Sequence, residues 1–178
     1  MHPKKLARTS WIVSLLILAT TPALSADDAI RQDPAEIGQI RDLLHLYAFF
    51  LDDGRGDEFE ELFAEDAAFD VLDMRLRGRA TIRKQFVGPP GRLRKHLAFP
   101  AVIEIRSPTE ALAWSDFIMV RLPDPDGAGP GEVYQMGRYH DRLVKQDDGR
   151  WRFAARNVFL VGMENTAEFL PPPGRRAQ

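Results

Sequence analysis

The chain has 178 residues, 24 basic and 26 acidic, and no cysteine. Without cysteine it carries no disulfide, thiolate metal site, cysteine nucleophile or lipid on a leader cysteine. A mildly acidic balance with no basic block argues against nucleic acid and anionic membrane as partners. The cluster Arg75, Arg77, Arg79, Arg83 and Lys84 reads as a solvated strand-and-turn face.

Residues 1–26 read as a secretory signal peptide. Lys4, Lys5 and Arg8 form a positive start, Trp11 to Ala19 an apolar core, and Thr21 to Ala26 a small-residue cleavage region. That core is too short to span a bilayer, which takes about 20 residues; an uncleaved anchor is the rival reading. The expectation is an exported protein, bacterial periplasmic or secreted, with no membrane contact after cleavage. About 152 residues remain, with 21 basic and 26 acidic side chains and a net charge of −5. This suffices for one domain with its own core. Residues 27–36 read as flexible, 37–165 as the domain and 166–178 as a disordered tail.

Ile40, Leu44, Tyr47 and Leu51 recur at helical spacing, and Leu43, Leu46 and Phe50 widen the apolar face of a first long helix. Gly54 supplies its stop. Asp52 and Asp53 sit at the helix C-terminus, where each acid costs about 0.3–1 kcal/mol against the macrodipole. A broken local rule beside Tyr47 marks a candidate site. Asp57 with Glu60 reads as a capping box for a second helix buried through Phe59, Leu62 and Phe63. Ala67 to Leu76 then alternates with period two, Asp70, Leu72, Met74 and Leu76 sharing one face. Gly78 turns into a short helix around Thr81 to Phe86, and Gly88 to Gly91 is a loop. Further strands are expected at His96–Ile105, with Pro100 marking an edge or bulge, and at Ala111–Leu122, Val133–Val144 and Trp151–Val161. Pro123 to Gly131 reads as a surface loop, and Asp147-Asp148-Gly149 as a hairpin turn. Helices followed by antiparallel strands read as α+β, a curved sheet wrapped over the long helix around a cavity.

Polar residues on apolar faces are the candidates for function. In Ala111–Leu122 one row holds Leu112, Trp114, Asp116, Ile118, Val120 and Leu122; in the last strand one row holds Arg152, Ala154, Arg156, Val158 and Leu160. A lone buried charge is expensive unless paired. Asp116 and Arg156 therefore pair with each other or serve a substrate, unless twist or a bulge carries them to solvent, since a one-residue slip exchanges the faces. The same choice applies to Asp70. His45 and His140 have no supporting context and read as surface or structural. The four histidines are scattered, and no HExxH, His-x-His or Asp-x-Asp-x-Asp-Gly pattern is present. There is no phosphate loop or Gly-x-Ser-x-Gly elbow, so neither a metal nor a cofactor is expected.

Tyr47-Ala48-Phe49-Phe50-Leu51-Asp52, Leu62-Phe63-Ala64-Glu65-Asp66-Ala67, and later Gly137-Arg138-Tyr139-His140-Asp141 with Gly149-Arg150-Trp151-Arg152-Phe153 and Arg156 resemble the SnoaL-like branch of the NTF2-like superfamily. The likeness runs from about Ile37 to Val161. It implies a cone, a strongly bent antiparallel sheet around a pocket closed by the long first helix, and assembly as a homodimer or homotrimer. It is similar above all to the scytalone dehydratase and bile acid 7α-dehydratase type. Their pocket tyrosine, helix-end aspartate and strand histidine fall on Tyr47, Asp52 and His96, the implied catalytic set. A strand aspartate and a late arginine fall near Asp116 and Arg156. With Asp70 and Trp114, these two are the expected substrate-binding residues. The isomerases of the superfamily match less well: their oxyanion-hole tyrosine falls on Tyr47, and their base falls on Val71, next to Asp70.

The reading is a lyase or isomerase, dehydratase-like in its general acid–base chemistry, on a small hydrophobic, oxygenated, cyclic substrate. The alternatives are a non-catalytic small-molecule-binding or oligomerisation module on the same fold, and a purely structural partner protein whose pocket is filled.

Overall fold

The computed structural model describes residues 33–88, 94–121, 123 and 130–163. The expected signal peptide, the expected tail from 166 and most of the expected Gly88–Gly91 and Pro123–Gly131 loops lie outside them. Among the described residues, no helix is long and apolar enough to cross a membrane.

Helix α1 spans Pro34–Asp52. Asp33 caps it by accepting a hydrogen bond from the Ala35 N–H at 2.8 Å, and Pro34 supplies a first residue that needs no N–H partner. Residues 34–36, the end of the segment 27–36 expected to be flexible, are thus helical, while 27–32 lie outside the described residues. Glu36 fastens it to the sheet by accepting from Lys145 Nζ at 2.6 Å and from Trp151 Nε1 at 2.7 Å. The Lys145 bond leads the causes that hold the Glu36 carboxyl below its ordinary range. Gly54, at φ 69°, ends the helix in the left-handed region as expected.

Helix α2 is a short Gly56–Glu61 segment with no side-chain cap, so Asp57 and Glu60 make no capping box. Asp57 and Glu60 instead meet Arg83, at 2.7 and 3.6 Å. The chain extends sooner than expected, because β1 begins at Phe63 and runs to Val71. The period-two run Ala67–Leu76 is a hairpin rather than one strand. β1 turns at Leu72 and Asp73 into β2, Met74–Arg77, with Leu72 at φ 52°. Helix α3 is Arg79–Phe86.

The remaining strands are β3 (Arg94–Ala98), β4 (Val102–Ser107), β5 (Glu110–Arg121), β6 (Glu132–Lys145) and β7 (Trp151–Leu160). Pro100 splits the expected His96–Ile105 strand. β3 pairs with the far end of β5 and β4 with its near end. One seven-stranded sheet results, ordered β2-β1-β7-β6-β5-β3, with β4 also on β5. Its pairings are antiparallel except β1 with β7, which run parallel.

The sheet curls over α1, which presents Ile40, Leu43, Leu44, Tyr47 and Leu51 to it. β5 turns Ala111, Ala113, Ser115, Phe117 and Met119 inward, the opposite row from the one expected. At the core centre Arg156 and Asp141 form a two-pronged ion pair at 2.7 and 2.8 Å, 1% and 0% exposed. The guanidinium is walled by Tyr47, Tyr139 and Phe153, whose ring centres lie 3.9–4.3 Å away. Stripping one charge of such a pair leaves the other buried and uncompensated. Asp141→Ala is therefore expected to lower the unfolding free energy by about 3–5 kcal/mol, read from urea denaturation followed by near-UV circular dichroism.

Candidate functional site

A cavity of about 190 Å³ opens inside the cone, and Tyr47, Leu51, His96, Phe117, Tyr139 and Leu160 are among the residues that line it. His96 reaches it from β3, where it pairs with the inward Met119. Asp52, at the end of α1, stands behind His96 rather than in the cavity wall. Its Oδ1 lies 2.6 Å from His96 Nδ1, and its Oδ2 accepts the His96 backbone N–H at 2.8 Å. The two side chains are 5% and 2% exposed. One carboxylate thus holds both the ring and the backbone of the histidine. With Nδ1 engaged, Nε2 is the nitrogen left for a ligand.

This arrangement also explains the acids at the helix end. Asp52 is met by the histidine, and Asp53 by Lys95 Nζ at 3.2 Å. Tyr47 and Asp52 are five residues apart, about 140° around the helix at 100° per residue. They still serve one site because Asp52 acts through His96 while Tyr47 faces the cavity itself.

Tyr47 is wholly buried. Burial pushes its hydroxyl up to about 12, against the opposing pull of Arg156. Burial also carries Tyr139 well above the ordinary tyrosine value. Both phenols are consequently neutral hydrogen-bond donors at physiological pH. Gly137 helps to place the second. A Cβ there would run into the Phe159 carbonyl oxygen and come 2.9 Å from the Phe117 ring, which stacks on Tyr139 at 4.2 Å.

The four expected substrate-binding residues lie outside the cavity. Asp116 is on the outer row of β5 and pairs with Arg138 at 2.6 Å, both about half exposed. That bond is the first cause holding the Asp116 carboxyl below its ordinary range. Trp114 shares the outer row and, though itself buried, does not line the cavity. Asp70 points away from Phe69 and Val71, which face the cavity, and is covered by Arg77 at 2.6 Å and Arg75 at 3.7 Å. Arg156 pairs with Asp141, not Asp116, and supports Tyr47 from behind.

Sequence reasoning missed Tyr139, Asp141 and Arg94, which lines the cavity two residues before His96. The alternation Gly137, Tyr139, Asp141, Leu143 was a usable signal for the first two, since its one acid lies between apolar neighbours. Among the described residues no three His, Cys, Asp or Glu side chains gather as a metal would need.

A family model described as a SnoaL-like domain matches residues 33–157. No curated protein matches the sequence. Among solved structures, a candidate scytalone dehydratase from Novosphingobium aromaticivorans is 24% identical with a TM-score of 0.62, covering 81% of this chain and 96% of its own. An NTF2-like protein with a cystatin-like fold from the same organism is 20% identical with a TM-score of 0.65, covering 73% and 84%. ActVI-ORFA from Streptomyces coelicolor is 18% identical with a TM-score of 0.64, covering 72% and 99%. At these identities the likeness is one of fold.

The tyrosine environment is directly measurable. In an alkaline ultraviolet difference titration, subtracting Tyr47→Phe from the unmodified protein should isolate one tyrosinate that forms near pH 12, not near the usual value of about 10.

Proposed function

The chain belongs to the SnoaL-like domain family within the NTF2-like superfamily, and we propose that it is a lyase or isomerase working by general acid–base chemistry on a small hydrophobic, oxygenated, cyclic molecule. The observation that carries this reading is the Asp52–His96 pair at 2.6 Å on the wall of an apolar cavity that a neutral tyrosine also lines. The superfamily includes scytalone-dehydratase-like enzymes, and the candidate dehydratase from Novosphingobium shares the fold.

In the dehydration of a β-hydroxy carbonyl compound, His96 Nε2 accepts the proton from the carbon α to the carbonyl. The released electron pair forms the carbon–carbon double bond as the β C–O bond breaks. The imidazolium returns its proton to the departing hydroxyl, which leaves as water. Asp52 fixes the ring and stabilises its charged state. Tyr47 donates a hydrogen bond to the carbonyl oxygen as negative charge builds there. An isomerase uses the same first step, with the proton returned to a different carbon.

A cavity of about 190 Å³ is below the roughly 300–1,000 Å³ typical of drug-sized ligands, which favours a compact one- or two-ring substrate. The leader adds export to the proposal, tested by N-terminal sequencing of the protein recovered from periplasm or medium.

The test is a panel of cyclic β-hydroxy ketones, followed by the ultraviolet absorbance of the enone product. Turnover is expected, and His96→Ala should reduce kcat/KM by about 10²–10⁴-fold with an unchanged circular dichroism spectrum. A His96→Ala variant as active as the parent removes His96 from the chemistry. Saturable binding throughout the panel with no conversion replaces the enzyme with a binding protein on the same fold.

A further inference from the structure

Arg94 is a cation in this cavity with no assigned task. It opens β3, two residues before His96, so the two side chains leave the strand on the same face. It is the one arginine of the cavity wall, which includes no aspartate or glutamate among the described residues. Its Nε is buried and has no hydrogen-bond partner among the described residues. The two buried arginines among the described residues are matched with acids: Arg156 with Asp141 and Arg152 with Asp148. Asp52, which stands behind His96, is turned to the ring and backbone of that residue.

A buried guanidinium donor left unused in an apolar cavity is unfavourable until an acceptor arrives. The fork of arginine N–H groups fits a carboxylate, which accepts two parallel hydrogen bonds. We propose that Arg94 is an anion anchor, and that the ligand of this cavity carries a carboxylate on a compact apolar ring body. The carboxylate sits on Arg94 and the ring among Phe69, Phe86 and Phe117, which places the rest of the molecule beside His96. This deepens the proposed function and rests on its cavity, while standing apart from the catalytic role of His96.

The experiment is isothermal titration of the purified protein with trans-cinnamate and with trans-cinnamamide, which share shape and differ in charge. The acid is expected to bind at least about 10-fold tighter than the amide, in line with charge-assisted hydrogen bonds. Arg94→Met should weaken cinnamate by about 10–100-fold and leave cinnamamide nearly unchanged. Arg94→Lys, which keeps the charge but not the fork, should fall between. His96→Ala should retain the preference for the acid. A protein inactive on every substrate yet selective for cinnamate through Arg94 would therefore uphold the anchor while the enzyme reading fails. Equal affinity for acid and amide in the unmodified protein, including no measurable binding of either, overturns the proposal. So does a preference that persists in Arg94→Met.

Discussion

A guanidinium and a carboxylate lie together at the centre of the core, Arg156 on β7 and Asp141 on β6, sealed from water. Two charges in that position are tolerable only because each satisfies the other in a two-pronged pair and the aromatic rings of Tyr47, Tyr139 and Phe153 flank the cation. The consequences reach through the fold. The pair joins neighbouring strands in register, and the ring of Tyr47 brings the middle of α1 down onto the concave face. A tyrosine pinned in this way presents its edge to the cavity with little freedom, and a positioned donor needs that restraint.

The other end of α1 solves a different electrostatic problem with the same economy. Asp52 and Asp53 lie where the helix already carries partial negative charge. β3 answers both, with His96 taking Asp52 and Lys95 taking Asp53. What is unfavourable locally becomes a cross-link between helix and sheet edge, and the cross-link orients an imidazole. Arg94, next on the inward row of the same strand, has no such partner for its Nε among the described residues, so β3 faces the cavity with one satisfied group and one unmatched donor. In the proposed reading the first is the base and the second the anchor that awaits its ligand.

The sheet shows why some positions were legible and others were not. α1 was readable because a period near 3.6 sorts its residues whatever they pack against. β5 alternates cleanly, yet both of its rows are rich in apolar residues: Ala111, Ala113, Phe117 and Met119 on one side, Leu112, Trp114, Ile118 and Val120 on the other. The alternation identifies a strand without saying which row is inside, and the bulkier row proved to be the outer one. Asp116 and Trp114 went to the wrong face for that reason. Asp70 was misread because a turn at Leu72, a residue ill suited to positive φ, divides an unbroken alternation into a hairpin.

The sequence by itself determined the long helix with its misplaced acids, the helices-then-strands order and the family, and it put Tyr47, Asp52 and His96 forward as candidates. These follow from periodicity, local electrostatics and motif, which act over a few neighbouring residues. Only the tertiary structure decided that Asp52 faces His96, 44 positions away, that Arg156 belongs to Asp141, that β1 and β7 run parallel, and that Arg94 lines the cavity with its Nε unmatched among the described residues. Each of these depends on which distant strands lie side by side. A charge has no intrinsic preference among several opposite charges in the chain, so its partner is settled by the geometry that brings one of them within hydrogen-bond reach.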